Sequence, residues 1–476
     1  MRFKKVIALL VAMLMATTAL AACGSGTEEE TGTPSAPAET DSGATTTPDD
    51  SGDDDDDDVG TTVDAPVAGG LTLTVLTHRT DRDQDGSLAE RTKAFEELYD
   101  CNVVYQSYTG YAEDALTMLS ATNWGDVMMI PGVELRDLGE YYEPLGTYAD
   151  LSQEYNWVQE RMYDGLVYGM PHAGNVAGGY NYNKRIWEGA GITSMPTTPD
   201  EFVAALETIK EVYPDVIPLY TNYAAGWTMA GWTAFAYSAM ANPDWQVDML
   251  INSEDPFAPG SALYLSAKLQ YDVFSNPDLI EADPSTTDWE ACKALINEGK
   301  IATINLASWA TSQFQEAGPN PEDIAFAPVP FTVDGKQWAE SSGDYHLGVN
   351  KYATDEQKDL AKAYVFWFVN ESGFAESEGM LSPRKGVPVE IPNFENVELF
   401  SQAPAPDGLV GVWDSIDKGS DVNINEAATV GNYKLRIAEA AFAGQPYSVV
   451  EDILTEMNEK WATERDANAE LEAYLN

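Results

Sequence analysis

The hydrophobic and polar positions divide the chain into three stretches. Two lysines precede an apolar run from Val6 to Ala16. From Gly24 to Gly70 the residues are mostly Thr, Ser, Pro, Gly, Ala and acids, including the run Asp53 to Asp58, with almost nothing apolar to bury. From residue 71 onward, apolar positions recur with the periods of strands and helices. Residues 71–476 are therefore expected to form the packed body, and the stretch before them a disordered linker.

The start of the body predicts strands and helices in alternation. Leu71–Thr77 alternates as a strand does, and Asn102–Tyr105 and Gly125–Ile130 are further predicted strands. Ser87 with Glu90 forms a capping-box pattern, which predicts a helix. One face of that helix carries Leu88, Thr92, Phe95 and Tyr99. A second helix ends near residue 118, and this β-α-β-α-β order calls for a parallel sheet with helices on its faces.

The later part of the body continues in the same manner, so the predicted class is α/β. Thr198 and Pro199 predict the start of a helix that runs to about residue 213. Val216–Tyr220 is a predicted strand, which Pro218 would push toward a sheet edge. The remaining predicted elements are a buried strand at Lys300–Leu306, a helix capped by Thr354 and Gln357, and a helix from Ser448 to about Arg465.

Charge narrows the possible partners. The chain has a formal net charge of −52, and residues 71–476 carry 23 basic and 64 acidic residues. Nucleic acids and anionic membranes need a cationic surface, so neither is an expected partner. Cationic ligands such as polyamines or basic peptides are compatible with this charge, although a broadly acidic surface more often serves solubility.

The N-terminal stretch has the pattern of an export signal: a basic head, a short apolar run and small residues before a cleavage site. Its ending, Leu20-Ala-Ala-Cys-Gly24, resembles the lipobox of bacterial lipoproteins. That resemblance implies a signal peptide at 1–22, a diacylated Cys23 as membrane anchor, and residues 23–70 as linker. An uncleaved membrane helix and calcium binding by Asp53–Asp58 are the alternatives.

The body has two further cysteines and one metal-like pattern. Cys101 and Cys292 could form a disulfide, but the sequence does not show whether they are close. Asp81-Arg-Asp-Gln-Asp85-Gly86 matches the first half of a calcium-binding EF-hand loop, yet position twelve is Thr92 instead of Glu. Calcium at this loop stays open, and no cofactor is predicted.

A series of short motifs runs through the body in a recognisable order. They include Gly125-Asp-Val127, Tyr168-Gly-Met-Pro171, Tyr180-Asn-Tyr-Asn-Lys184, Pro196 to Phe202, Glu298 to Thr303, Ser308-Trp309 and Leu347-Gly-Val-Asn350. In this order the chain resembles the extracellular solute-binding proteins of ABC importers, in the sugar-binding family that includes maltose-binding protein.

The resemblance implies a two-lobed, type II periplasmic-binding-protein-like fold, each lobe a mainly parallel sheet flanked by helices. The N-terminal lobe would comprise 71–176 and 343–385, and the C-terminal lobe 177–342 and 386–476. Hinge segments are expected near 173–179, 341–345 and 383–388. The implied function is that of a lipid-anchored monomer on the extracellular face of the cytoplasmic membrane, which closes on a mono- or oligosaccharide and delivers it to the transmembrane permease subunits.

The candidate ligand residues are aromatic or polar side chains in predicted loops. Aromatic rings cover the apolar faces of a pyranose, and planar polar groups bind its hydroxyls. The aromatic candidates are Trp227, Trp232, Trp309 and Trp413, and core packing is the alternative for each. The polar candidates are His78, Arg79 and Asp81 after the first strand, Asp344 and Tyr345 beside a predicted hinge segment, and Arg384, which could instead form a structural bridge.

Other functions remain as alternatives. The same tryptophans could surround ammonium groups, so a polyamine or peptide receptor is the main competitor. A cell-surface glycoside hydrolase would need paired carboxylates, but 64 acids in the body make their presence uninformative. The absence of G-x-S-x-G, H-E-x-x-H and P-loop motifs argues against an enzyme. A structural adhesin is disfavoured because hinge motifs would have no use in it.

Overall fold

A computed structural model describes residues 69–388, 391–406, 408–424 and 431–476. The predicted signal peptide at 1–22, the predicted anchor Cys23 and nearly all of the predicted linker at 23–70 lie outside these residues. Within the described part of the chain, no helix is both long enough and apolar enough to cross a membrane.

The body alternates strands and helices along most of its length. The strands are β1 (Thr72–Thr77), β2 (Asn102–Ser107), β3 (Val127–Met129), β4 (Tyr142–Glu143), β5 (Gly146–Thr147), β6 (Met162–Tyr163), β7 (Leu166–Val167), β8 (Met170–Pro171), β9 (Gly174–Val176), β10 (Gly179–Asn183), β11 (Thr303–Ile304), β12 (Ile324–Pro328), β13 (Gln337–Gly343), β14 (His346–Asn350) and β15 (Val397–Phe400). The α-helices are α1 (Thr80–Gln84), α2 (Ser87–Tyr99), α3 (Tyr111–Met118), α4 (Leu138–Tyr141), α5 (Tyr148–Glu154), α6 (Lys184–Gly189), α7 (Pro199–Val212), α8 (Ala230–Met240), α9 (Trp245–Asn252), α10 (Ala262–Phe274), α11 (Trp289–Asn297), α12 (Ala310–Glu316), α13 (Asp355–Glu371), α14 (Phe374–Ser377), α15 (Val412–Gly419), α16 (Tyr433–Phe442), α17 (Ser448–Ala467) and α18 (Ala469–Leu475). Short 3₁₀ turns lie at Leu135–Asp137, Val158–Arg161, Tyr223–Ala225, Trp227–Met229, Pro284–Thr286 and Pro321–Asp323.

The first core forms around the predicted parallel sheet. β1 pairs in parallel with β2, from Thr72 opposite Asn102 to Thr77 opposite Ser107, and in parallel with β3 on its other side. β14 returns from late in the chain and pairs antiparallel with β3. Buried residues from 73–173 and 347–375 pack on this sheet, and we call this part of the chain the first lobe.

Two helices begin at the predicted residue but have no side-chain cap in the structure. α2 begins at Ser87 as expected, but its N-cap is Gly86 and no side chain caps it. The Ser87 hydroxyl instead donates to the carbonyl of Arg82, so the predicted capping box is wrong. α17 likewise begins at Ser448 with no side-chain cap. The box of Thr354 and Gln357 is confirmed, with both reciprocal hydrogen bonds present.

The second lobe is built around a different sheet and several cores. β10 lies between β11 and β12 and pairs antiparallel with both, where the sequence predicted a mainly parallel sheet. The predicted strand at 216–220 is reduced to one parallel bridge between Ile217 and Ile301, because Pro218 has no N–H to continue a ladder. Three further cores, within 180–331 and 400–471, pack the helices of this lobe.

Three chain segments join the two lobes side by side. β9 pairs antiparallel with the end of β13, so that Gly174 lies opposite Gly343. Gly174 also forms a bridge to Leu381, and β15 pairs in parallel with the start of β13. We call this arrangement the hinge sheet. It lies in the predicted hinge segments near 173–179 and 341–345, and the third contact falls at residue 381, just before the predicted 383–388.

Gly174 is the close-packed point of the hinge sheet. A Cβ atom added there would lie 2.2 Å from the ring of Trp157, far inside van der Waals contact. Only glycine lets the three segments approach each other at this point. Elsewhere in the body, Cys101 and Cys292 are both free thiols that belong to different lobes.

The capping box of α13 gives a test of the fold. Thr354→Ala removes the side-chain acceptor of the Gln357 N–H, and we expect it to lower the free energy of unfolding by about 1 kcal/mol. Denaturant unfolding measures this loss. Thr463→Ala, in the exposed interior of α17, is the matched control and should be neutral or slightly stabilising because alanine favours helix. Equal effects of the two changes would contradict the capping role.

Candidate functional site

The floor of the candidate site is one face of the hinge sheet. Side chains alternate along a strand, so Glu340 and Ser342 of β13 point to the same face. Asn175 lies directly opposite Ser342 and joins them. Asp344 continues the strand, because its N–H donates to the carbonyl of Ala173, and the alternation places it on this face too. The hinge thus presents a row of polar side chains between the lobes.

A cavity of about 320 Å³ lies above this floor and is lined by both lobes. The first lobe contributes Leu135, Glu160 and Arg161, and the second contributes Trp245 and Trp413. The remaining lining residues include Val133, Gln159, Tyr237, Glu340, Ser341, Ser342, Gln402 and Asp414. We call it the cleft cavity. Its size and its mixture of aromatic and polar walls are typical of a small-molecule site.

Three hydrogen-bond donors in the wall of the cleft cavity are buried and unused. Arg161 Nε, Gln402 Nε2 and Trp413 Nε1 have no hydrogen-bond partner among the described residues. Each buried donor left in this state costs about 1–3 kcal/mol. A bound molecule that offers acceptors would remove this cost, so the wall favours a ligand rich in oxygen acceptors.

Two carboxyl groups in the same cavity have raised pKa values and therefore tend to keep their protons. Glu160 Oε1 accepts a hydrogen bond of 3.1 Å from the Gly343 N–H, and Glu340 Oε1 accepts one of 2.9 Å from Trp245 Nε1. Burial raises the pKa of Glu160 to about 8 and that of Glu340 to about 7. Near neutral pH each carboxyl exchanges between acceptor and donor forms.

His78 packs against aromatic rings of the first lobe. Its ring lies 4.6 Å from that of Tyr345 and 6.2 Å from that of Tyr111, measured between centroids. Nδ1 lies 2.9 Å from Met129 Sδ. Burial lowers the pKa of His78 to about 4, so the ring is neutral at physiological pH.

His172 and Asp344 form a pair of acceptors beside His78. His172 Nδ1 lies 2.7 Å from the carbonyl oxygen of Tyr345, which assigns the proton to that nitrogen and leaves Nε2 as an acceptor. Nε2 is 3.4 Å from Asp344 Oδ2, but two acceptors cannot bond each other. His172 is fully buried behind this carboxylate, whereas Asp344 is partly exposed and is the one of the two that a hydroxyl can reach.

Arg79 and Asp81 take part in an ion-pair network of the first lobe. Arg79 donates two hydrogen bonds to Asp81, of 2.9 and 2.7 Å, and one of 2.6 Å to the buried carboxylate of Glu378. Burial would raise the pKa of Asp81, but the hydrogen bonds and charge of Arg79 outweigh it and lower the pKa to about 2. The structure thus places both side chains in an ion-pair network of the first lobe, and their ligand role stays a prediction.

Two acidic side chains of the loop at 81–86, which the sequence offered as a calcium site, accept hydrogen bonds from nearby protein groups. Asp83 accepts a hydrogen bond from the Ser107 hydroxyl, and Asp85 accepts one from the Ser87 N–H. Among the described residues there is no group of three or more His, Cys, Asp or Glu side chains arranged to hold a metal ion.

Trp227 and Trp309 lie together in a half-buried aromatic group of the second lobe. Their ring centroids are 6.0 Å apart, and Trp289, which the sequence did not single out, lies 5.4 and 5.8 Å from them. Trp309 follows Ser308, which exchanges hydrogen bonds with the backbone of Val176 in the hinge sheet. The group therefore lies next to the hinge.

The structure places two other predicted ligand residues away from the site. Trp232 is 3% exposed and packs against Phe235 and Phe274 in the core of the second lobe. Arg384 is exposed and donates to the carbonyl of Asn370, which is the structural-bridge alternative. Trp413 is buried as well, but its ring forms part of the wall of the cleft cavity.

Several residues of the site were missed by the sequence analysis: Glu160, Arg161, Trp245, Glu340, Gln402 and Asn305. Glu340 precedes the predicted hinge segment at 341–345, so proximity could have identified it. Asn305 follows β11, and both polar atoms of its buried amide lack hydrogen-bond partners within the described chain. No local signal distinguishes Glu160 or Arg161 from other charged residues.

Two lobes that share a hinge sheet, with a cavity between them, define a type II solute-binding protein. The family model described as bacterial extracellular solute-binding protein matches residues 80–373, and the chain belongs to this family. Its members are the extracellular binding components of ABC importers. The predictions of family and of α/β type II fold are confirmed.

Solved structures of high similarity come from Bifidobacterium animalis subsp. lactis. BlMnBP1, the binding protein of an ABC transporter in complex with mannobiose, is 34% identical with a TM-score of 0.77, covering 83% of this chain and 95% of that chain. BlMnBP2, described as manno-oligosaccharide specific and bound to mannotriose, is 33% identical with the same TM-score and coverage.

More distant relatives match part of the chain. The diacetylchitobiose binding protein DasA of Streptomyces coelicolor is 26% identical over 67% of this chain and 74% of its own length. An uncharacterized ABC transporter extracellular-binding protein of Pyrococcus horikoshii is 24% identical over 58% of this chain. The match spans 63% of that relative's length.

Glu160 gives the folded protein a distinctive dependence on pH. Its folded pKa of about 8 lies above the ordinary value of 4.5, so the folded state keeps a proton that the unfolded chain has lost. Stability should therefore fall as pH rises from 6.5 to 8, by at most about 1.4 kcal/mol per pH unit from this group. Burial lowers the pKa of His78 to about 4 and of His346 to about 3, which costs stability only below 6.5.

Denaturant unfolding at several pH values tests this dependence. Glu160→Gln should flatten the fall between pH 6.5 and 8, because the amide does not titrate. Glu113→Gln, at an exposed position on α3, makes the same chemical replacement outside the cavity and should leave the slope unchanged. The same slope in both variants would contradict the proton-retaining role of Glu160.

Proposed function

We propose that this protein captures a carbohydrate in the cleft cavity and delivers it to an ABC permease. The observation that carries this proposal is the group of three unused donors in one cavity wall, on Arg161, Gln402 and Trp413. The hinge face below adds the partly exposed carboxylate of Asp344, which is an acceptor. Each sugar hydroxyl both donates and accepts, so an oligosaccharide can pair with both kinds of group.

A polyamine fits this arrangement less well, whereas a basic peptide differs because its backbone carbonyls accept hydrogen bonds. An ammonium group donates hydrogen bonds and accepts none, so it would leave the three buried donors unsatisfied. Arg161 would also place a second cation in the same cavity. The acidic surface, which first suggested a cationic ligand, is spread over the whole body and carries no preference for the cleft.

Manno-oligosaccharides are the ligands to test first. The two Bifidobacterium proteins named above are the relatives whose structures carry mannobiose and mannotriose, and they match this chain over most of its body. The cavity between the lobes and the half-buried tryptophan group beside the hinge give aromatic surfaces on which pyranose rings stack. We propose that the protein binds such a ligand without chemical change, as a transport component.

The remaining parts of the proposal concern location. The lipobox-like ending at Cys23 supports attachment to the outer face of the cytoplasmic membrane through diacylglycerol, with residues 23–70 as tether. A monomer that closes on its ligand and then contacts the transmembrane permease subunits accords with the family.

A ligand screen tests the proposal. Mannobiose, mannotriose, diacetylchitobiose, maltose and spermidine are each added to the protein, and the thermal midpoint is measured. Ligand bound only by the folded state at about 100 times its dissociation constant stabilises by about 2.7 kcal/mol, so the midpoint should rise with one set of sugars. Calorimetry should then show saturable binding, with no new product in the recovered sugar. A rise with spermidine alone would overturn the carbohydrate assignment.

Two substitutions test the assigned residues. Trp309→Ala should weaken sugar binding more than tenfold by removing a stacking surface, with little change in the thermal midpoint of the empty protein. Trp413→Phe keeps an aromatic ring but removes the unused indole N–H, so it should weaken binding about tenfold, with a loss of stability smaller than the about 3–5 kcal/mol of a Trp→Ala core change. Trp232→Ala is the contrasting core variant and should cost about 3–5 kcal/mol of stability. Unchanged affinity in the first two variants would remove them from the site.

A further inference from the structure

Among the described residues, three ion pairs join the first lobe to the second. Arg82 Nη2 of α1 lies 2.7 Å from Glu316 Oε1 at the end of α12. Glu134 Oε1 lies 2.8 Å from Lys418 Nζ of α15, and Arg136 Nη1 lies 3.2 Å from Glu470 Oε1 of α18. Glu134 and Arg136 flank Val133 and Leu135, which pack on the first core. Arg82 lies in α1, which contacts α2 and β2 of the same lobe. The three partners lie in helices that pack on cores of the second lobe.

The pairs lie at positions where an opening of the cleft would separate the charged groups. Val133 and Leu135, which alternate with Glu134 and Arg136, line the cleft cavity, and Trp413 of α15 lines it from the opposite side. Arg82 is held from behind by Glu378, whose carboxylate accepts from Arg82 Nε at 2.9 Å and from Arg79 Nη2 at 2.6 Å. Arg82 is thus fixed to the first lobe and directed at the second.

We propose that these pairs form an electrostatic clamp that stabilises the closed form and sets the affinity for an uncharged ligand. Separation of the lobes breaks all three contacts at once, whereas ion pairs within one lobe survive it. The clamp is independent of hydrogen bonds to the ligand, although its effect on affinity rests on the proposed function. It predicts that the binding of a neutral sugar depends on salt.

The three contact ion pairs, and not the long-range repulsion between the lobes, should dominate the response of the cleft to added salt. The body carries 64 acidic and 23 basic residues, so its lobes repel each other, and salt weakens that repulsion too. At about 0.1 M salt the screening length is already about 10 Å, which removes most of the long-range repulsion. Contacts of 2.7–3.2 Å lose strength only at higher salt. Raising salt above this level should therefore open the cleft.

The test compares two variants with equal changes in charge. The clamp variant combines Glu316→Gln, Glu134→Gln and Glu470→Gln, all at partly exposed sites whose loss leaves no buried charge unpaired. The control variant combines Glu90→Gln, Glu290→Gln and Glu456→Gln, whose partners Lys93, Lys293 and Arg436 lie in the same lobe as each acid.

Two readouts are measured at about 0.1 M and about 1 M sodium chloride. The first is the radius of gyration of the empty protein by small-angle X-ray scattering, and the second is mannotriose affinity by calorimetry. Exposed ion pairs are individually weak, but three are removed together, so we expect the clamp variant to bind mannotriose about 3–150-fold more weakly than the control at low salt. At high salt the two variants should converge.

The outcomes separate the clamp from the proposed function. A larger radius of gyration for the empty clamp variant at low salt, or weaker mannotriose binding than the control, supports the clamp when the difference shrinks at high salt. If mannotriose binds none of the proteins, the ligand assignment fails and scattering alone decides on the clamp. Equal scattering of the two variants, with equal affinity wherever mannotriose binds, overturns it.

Discussion

The fold and its site both depend on the close approach of three chain segments at Gly174. This residue pairs with Gly343 on one side and with Leu381 on the other, and the ring of Trp157 occupies the space where a Cβ would lie. The same contact brings Asn175, Ser342 and Asp344 onto one face of the hinge sheet. One backbone constraint therefore joins the lobes and forms the floor on which a ligand can rest.

Burial of the unpaired polar groups of the cleft costs folding free energy, and their arrangement suits the binding of a ligand. Donors without partners line one wall, His172 Nε2 lacks a donor near His78, and Glu160 and Glu340 retain protons near neutral pH. A stable core would pair or remove such groups. Under the proposed function, a ligand with both donors and acceptors would pair with the donors of the cavity wall and so recover part of the cost that folding leaves in place.

The predicted site shows which residues sequence patterns can and cannot identify. Trp227 and Trp232 come from the same Gly- and Ala-rich stretch, yet one joins a half-buried group near the hinge and the other is enclosed by Phe235 and Phe274. Arg79 and Asp81 lie in the expected loop after β1, but Glu378, nearly 300 positions away, captures Arg79. Local sequence gives residue type and approximate element, whereas the partner of a side chain comes from distant segments.

The sequence by itself determined the alternation of strands and helices in the first lobe, the capping box at Thr354, the family and the fold class, because these rest on local periodicity, on capping chemistry and on motifs kept in order. Only the tertiary structure decided that the second sheet is antiparallel, that Trp232 is core, and that Glu160, Arg161 and Gln402 share a cavity with Trp413. The physical reason is that burial and pairing depend on which distant segments meet, and the hinge sheet brings together residues separated by more than 200 positions.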